Sequence, residues 1–257
     1  MRVSVIMPTS NRPIMAGEAG ASVLRQTMSD FEVIVVNAGT IPPVLPDDPR
    51  VRLIAAPGLG AAAARNRGLA EAAGDFVSFL DDDDLYSPIR LAFPDVPLSV
   101  CLRQDWDGTM THYGDVPKPP HVGQVTVQRE VCPMFDPTFS REEDADWWIT
   151  LVGKHKPITV SQLGYVLRDP GSQRLTRSLP RDERLRCVLR LLEKHPDYFA
   201  GHQTLAAYEW RKAGALAPTR RDAVRYFWRE YRTLLDPRAA IRAVRVAAAG
   251  PYGGAGH

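Results

Sequence analysis

The strongest chemical signal in the chain is a run of four aspartates, Asp81, Asp82, Asp83 and Asp84, directly after the apolar stretch Phe76–Leu80. Adjacent carboxylates repel, and like charge raises some of their pKa values unless a cation neutralises them. A helix start needs one aspartate, not four. A divalent ion such as Mn²⁺ or Mg²⁺, which prefers oxygen ligands, is the simplest compensation. Held by one or two carboxylates, such an ion keeps open positions that suit a diphosphate. The competing reading is an acidic, solvated turn. Arg65, inside the Ala-rich stretch AAAARNRGLA, is suited to pair with phosphates or clamp a ribose and base. Arg67 in the same stretch reads as surface. In REEDADWW, residues 141–148, acidic side chains beside Trp147 and Trp148 set a carboxylate against an apolar wall, which raises its pKa toward that of a general base. Indole faces also stack on sugar rings. The same octet reads as a helix N-terminus, where acidic residues favour the dipole, followed by core tryptophans. The polar loops Pro8-Thr9-Ser10-Asn11-Arg12 and Asn37-Ala38-Gly39-Thr40 lie where a nucleotide base would sit, although turn chemistry alone also accounts for them.

These residues need elements to position them. Val3–Met7, Phe31–Val36, Val51–Ala55 and Phe76–Leu80 are apolar β-type runs, and each ends in Pro, Gly, Asn or Asp. Ala16–Thr27 and Gly60–Ala73 between them read as helices. Strands apolar along their whole length and separated by helices predict a doubly wound, Rossmann-like, mostly parallel α/β sheet covered on both faces. In open sheets of that kind, ligands bind beyond the carboxyl ends of the strands, which is where the aspartate run falls. From Phe93 to His121 the pattern dissolves among Pro94, Pro97, Pro117, Pro119 and Pro120, with a turn at Asp105-Trp106-Asp107-Gly108. That stretch is the expected acceptor region, with Trp106, His112 and Tyr113 as stacking candidates. Val122–Arg129 reads as a strand and Trp147–Val152 as a helix. Residues 181–247 read as two or three Arg-rich helices, with Leu185, Val188, Leu189 and Leu192 on one stripe and Val224, Phe227, Trp228 and Tyr231 on another. Gly250–His257 reads as a frayed tail. The expected organisation is a nucleotide-sugar half over 1–100, an acceptor and catalytic half over 101–180, and a helical region over 181–257.

The 257 residues, 44% of them hydrophobic, suffice for a substantial core, and the net charge of +2 excludes a polybasic nucleic-acid binder. No apolar run reaches the roughly 18–20 residues of a membrane span, and the first residues, MRVSVIMPTSNRP, are too short and too β-branched for a signal peptide. Cys101, Cys132 and Cys187 lie far apart, which speaks against zinc and disulfides and for a reducing, cytoplasmic setting. Abundant Arg over Lys and abundant Ala point to a GC-rich bacterial genome. Residues 181–257 carry +7 and residues 1–180 carry −5. The basic end is either helices with arginines on the wet side or a peripheral contact with an anionic membrane, since Arg238, Arg242 and Arg245 alternate with Ile241, Val244 and Val246.

The strings VSVIMPTSNRP, DFEVIVVNAGT and GLGAAAARNRGLAEAAGDFVSFLDDDDLYSP are, in this order and spacing, similar to family 2 glycosyltransferases of the GT-A fold. The similarity is close over roughly residues 1–90 and weaker through VTVQREVCPMFDPTFSREEDADWWITL. It implies an inverting transfer of a sugar from a nucleoside diphosphate donor to an acceptor hydroxyl. It also implies a nucleotide pocket lined by Pro8, Thr9, Ser10 and Asn11, with Arg65 at the base or ribose and Asp82 at the ribose. Asp83 would hold Mn²⁺ or Mg²⁺, Asp81 completes the DxD pattern, and Asp144 matches the family's catalytic base. Asn37 and Trp147 join the substrate-binding set. Arg168–Ser172, RDPGS, resembles a later loop that closes over the diphosphate. Three departures stand out. Asn37 and Ala38 occupy places that are usually acidic, one of which contacts uracil. Asp169 stands where histidine is common. The QxxRW pattern of processive synthases is absent, so single addition is expected. The expected acceptor is a hydroxyl compound whose identity the sequence does not fix, whether a glycan, a lipid-linked molecule or a natural product, and no nucleic acid partner is expected. The alternatives are a catalytically degenerate nucleotide-sugar-binding protein, a nucleotidyltransferase and a phosphotransfer enzyme. The nucleotidyltransferase wants a Gly-rich loop after the first strand, where Pro8–Arg12 has no glycine. The phosphotransfer enzyme wants its nucleophilic Asp after the first strand, not the fourth.

Overall fold

The computed structural model describes residues 2–92, 96–114, 118–168 and 179–248. The chain divides into two compact units, residues 1–139 with 143–173, and residues 140–142 with 174–257.

In the first unit the apolar runs become strands β1 (Val3–Thr9), β2 (Phe31–Asn37), β3 (Val51–Ala55) and β4 (Phe76–Phe79), joined by helices α1 (Pro13–Leu24) and α2 (Ala61–Glu71). They pair in parallel in the order β3-β2-β1-β4, so their carboxyl ends share one edge. β1, β2 and β4 are buried on both faces, as their continuous hydrophobicity requires. Pro13 sits in the first turn of α1, where its missing N–H costs nothing.

Beyond β4 the sheet becomes mixed. β5 (Leu85–Tyr86), β6 (Leu98–Gln104), β7 (Met110–Thr111), β8 (Val125–Gln128) and β9 (Ile158–Val166) extend it in the order β4-β8-β6-β9-β5, with β7 on β6. β8 runs antiparallel to both β4 and β6, while β9 runs parallel to β6. The stretch read from sequence as patternless thus contains β6, buried along most of its length. Pro97 and the Asp105–Gly108 turn bound this strand rather than break it. Helix α3 (Glu143–Val152) starts four residues before the sequence reading, and Trp147, Trp148 and Leu151 fix it in a core with Phe79, Val125 and Phe135.

The second unit is helical: α4 (Arg181–Lys194), α5 (Pro196–Gly201), α6 (Gln203–Leu216), α7 (Arg220–Leu234) and α8 (Pro237–Ala248). Its described residues therefore hold five helices where the sequence suggested two or three, because Pro196 and Pro237 open new helices at positions where proline is favoured. Leu185, Val188, Leu191 and Leu192 line the inner face of α4. Thr219 caps α7 by accepting a hydrogen bond from the Asp222 amide at 3.1 Å. Of the sequence-assigned loop Arg168–Ser172 only Arg168 is described, and residues 169–172 and the tail Gly250–His257 lie outside the described residues.

Candidate active site

The parallel order brings the ends of β1, β2 and β4 side by side, and the polar residues that follow them converge. Thr9, the last residue of β1, donates its hydroxyl to Asp82 at 2.7 Å. Arg12 reaches the same Asp82 at 2.8 Å and Asp83 at 2.9 Å. Asn11 adopts a left-handed conformation at φ 56°, which asparagine tolerates better than most residues. Its side-chain oxygen accepts from the amides of Thr40 and Ile41 at 2.9 and 3.0 Å, tying the loop after β1 to the loop after β2. Gly39 is needed in that junction, since an added Cβ would lie 2.5 Å from the Asn11 side-chain oxygen. Asn37 is buried and spent on its own loop, accepting from the Gly39 amide at 3.0 Å and donating to the Ile41 carbonyl at 3.1 Å. Asn11 and Asn37 therefore shape this edge through backbone contacts. Pro8 and Ser10, both half-buried, flank Thr9 on the same edge.

Arg65, only 3% exposed, is the hub. α2 aims it past the end of β4, where it meets Asp81 at 2.9 Å and both Glu143 and Asp144 of α3 at 3.1 Å. One guanidinium thus joins the first residue of the aspartate run to the candidate base. Burial disfavours its charge, but Asp144, Asp81 and Glu143 outweigh that and raise its pKa above the ordinary value. Asn66 donates to the Phe135 carbonyl and accepts from the Phe135 amide, both at 2.8 Å, so α2 is clamped to the segment leading to α3. Arg67 points outward to Glu71, one helical turn on, as a solvated surface pair.

The four aspartates have four different environments. Burial pushes Asp82 up to about 6 against the pull of Arg12, and pushes Asp84 up to about 7 against His121 and the Tyr165 hydroxyl. For Asp81 burial is outweighed by Arg65 and His121, and its carboxyl stays below the ordinary range. Asp84 faces inward, accepting from the Tyr165 hydroxyl and, at 2.8 Å, from the Arg168 amide. Arg168 also donates to the Asp83 carbonyl at 2.8 Å.

His121, which the sequence reading did not single out, stacks on Tyr165 with ring centroids 5.1 Å apart and lies 3.7 Å from Asp81. The stack is possible because residue 123 is glycine: an added Cβ would lie 2.0 Å from the Tyr165 ring. Asp81, Asp84 and His121 each present one ligand atom within 4.8 Å of the others. Two carboxylates and an imidazole fit a divalent cation. The sequence assigned Asp81 and Asp83 to that ion. Asp81 belongs to the cluster, whereas Asp83 is paired with Arg12.

Trp147 lies in the core, 1% exposed, stacked on Phe135 at 5.1 Å and donating its indole N–H to the Pro133 carbonyl at 2.9 Å. It anchors α3 and shows no open face to a sugar. Tyr113 packs edge-on against Trp148 and His112 is exposed. Trp106, 62% exposed on the β6–β7 turn, lines a cavity of about 360 Å³ with Gln104, Leu167 and Arg168.

Residues 4–92 match the model described as glycosyl transferase family 2. A Rickettsia felis protein described as an uncharacterized glycosyltransferase is 40% identical over 91 residues, which are 33% of this chain and only 15% of that protein. In three dimensions the chain resembles TarS of S. aureus, residues 1–349, in complex with UDP-GlcNAc, at 14% identity with a TM-score of 0.65, covering 96% of this chain and 88% of that one. It also resembles the mannosyltransferase PcManGT of Pyrobaculum calidifontis in complex with GDP-Man and Mn²⁺, at 19% identity and a TM-score of 0.59, covering 96% and 76%. These likenesses establish the GT-A fold.

Proposed function

We propose, on the match of residues 4–92 to the glycosyl transferase family 2 model, that the chain is a non-processive glycosyltransferase that moves one sugar from a nucleoside diphosphate sugar to an acceptor hydroxyl with inversion. The observation that carries the reading is the Arg65 hub, which holds Asp81 and Asp144 to one guanidinium at the carboxyl edge of the parallel strands. Asp144 takes the proton of the acceptor hydroxyl as that oxygen attacks the anomeric carbon. The bond to the diphosphate oxygen breaks on the opposite face, and the nucleoside diphosphate leaves with the electron pair. Thr9 and Arg12 orient Asp82 toward the ribose, while Pro8, Ser10, Asn11 and Asn37 form the floor under the nucleotide. Asp81, with Asp83 or with Asp84 and His121, would hold Mn²⁺ or Mg²⁺, and such an ion supplies Lewis-acid neutralisation of the departing diphosphate. The Trp106 cavity is the candidate acceptor site. The described cysteines are free thiols, which supports a reducing cytoplasmic setting.

The test is Asp144→Asn. Calorimetric titration with UDP-GlcNAc and GDP-Man, the donors in the two neighbouring complexes, identifies the nucleotide, and a transfer assay follows turnover. The expected result is donor affinity within about twofold of the parent and turnover lower by roughly 10²–10⁴, the usual contribution of a well-placed proton-transfer group. Unchanged turnover removes Asp144 from the mechanism.

A further inference from the structure

Helix α8 has two apolar faces, and the larger side chains are on the wet one. Ala239 and Ala243 are fully buried, and Ala243 and Val246 pack with Ala217, Ala223 and Phe227. At the 100° per residue of an α-helix, Ile241 and Val244 fall on the opposite side, where they are 50% and 58% exposed. A helix that only covers a core shows the reverse, with branched residues inside and small or charged ones outside. At the corner after α7, Leu235 adds a third apolar side chain in water. Arg238 and Arg245, both exposed, fall beside Ile241 on the wheel. Arg242, further round, turns inward to the buried Glu230.

Charge decides what this face fits. Residues 220–248 carry eight arginines against Asp222, Glu230 and Asp236. Glu230 is buried beneath Arg211 and Arg242, and Asp222 is hydrogen-bonded to the Thr219 hydroxyl in the α7 cap. A second copy of the chain would bring the same arginines against themselves. An apolar strip edged by arginine matches the boundary between acyl chains and anionic headgroups. We propose that α8 is a peripheral membrane-docking helix, with Ile241 and Val244 seated at that boundary and Arg238 and Arg245 on lipid phosphates. This goes beyond glycosyl transfer and does not depend on it.

Flotation of the full chain with phosphatidylcholine vesicles, with and without phosphatidylglycerol, tests the proposal without an activity assay. The expected result is recovery only with the anionic vesicles, reduced by salt. The double variant Ile241→Asp/Val244→Asp should lose it. Arg238→Gln and Arg245→Gln should each weaken partition roughly fivefold, the equivalent of one basic residue near an anionic surface. Should the aspartate variant melt below the parent, the arginine variants, which touch no core residue, decide alone. Equal recovery on neutral vesicles, no recovery, or undiminished binding of the variants overturns the proposal. So does a concentration-dependent dimer that ignores vesicles and is abolished by the aspartate variant, since the face would then serve self-association.

Discussion

Among the buried arginines of the first unit, Arg65 and Arg90 are held in opposite ways. Arg65 sits among Asp81, Glu143 and Asp144 at the strand ends. Arg90, 0% exposed, sits deeper against neutral oxygens: the Gly123 carbonyl at 3.0 Å, the Val125 carbonyl at 2.8 Å, and the hydroxyls of Thr126 and Ser78 at 2.6 and 2.9 Å. Burying a guanidinium is costly unless its donors are satisfied. Carbonyls and hydroxyls can satisfy them, but they cannot change charge or move to a ligand. Carboxylates can do both. Arg90 is therefore a permanent tie between β4 and β8, whereas Arg65 organises groups that remain available to chemistry.

Three substitutions probe that contrast. Arg90→Met should be the most damaging to the fold. It takes the donor from the buried Gly123 carbonyl and the Thr126 hydroxyl, while the Val125 carbonyl keeps the Ser78 hydroxyl at 3.1 Å; each buried group left unsatisfied costs about 1–3 kcal/mol, so a loss on the order of 3 kcal/mol is expected in chemical denaturation. A loss below about 1 kcal/mol would show that neutral partners do not make this arginine structural. Arg65→Lys keeps the charge but not the fork that spans three carboxylates. The protein should stay folded while turnover falls roughly ten- to a hundredfold through misplacement of Asp144, as small misplacements at reacting groups do. Full activity would mean that charge alone suffices there. Arg67→Ala, two residues away on the same helix, removes only the exposed pair with Glu71 and should change stability by less than about 0.5 kcal/mol. A larger effect would mean that burial is the wrong criterion for separating these arginines.

The part of the site that was legible in the sequence is the part made by local pattern. The aspartate run after β4, Arg65 in an alanine-rich helix, and the acidic start of α3 can each be read within about a dozen residues, because strand ends and helix starts have short-range signatures. Arg90 has no such signature. Its stretch, SPIRLAFP, reads like a loop, and what buries it arrives from Gly123–Thr126. His121 was missed for the same reason: its stacking partner, Tyr165, lies on β9, and its acidic neighbours follow β4. The mixed half of the sheet was hidden by prolines that look like breaks, although Pro97 stands directly before β6 and only bounds it. Trp147 shows the opposite failure. An aromatic beside carboxylates suggests a sugar platform, yet packing on Phe135 and Phe79 places it inside.

The latch made by Asn11 has a thermodynamic consequence. Because one side-chain amide already fastens the first and second strand tips together, a nucleotide bound there, as the proposed function requires, would meet a floor with little freedom left to surrender. Recognition at that edge should behave like a rigid mould, with selectivity for the base changing by substitution on the mould's surface while its outline stays the same.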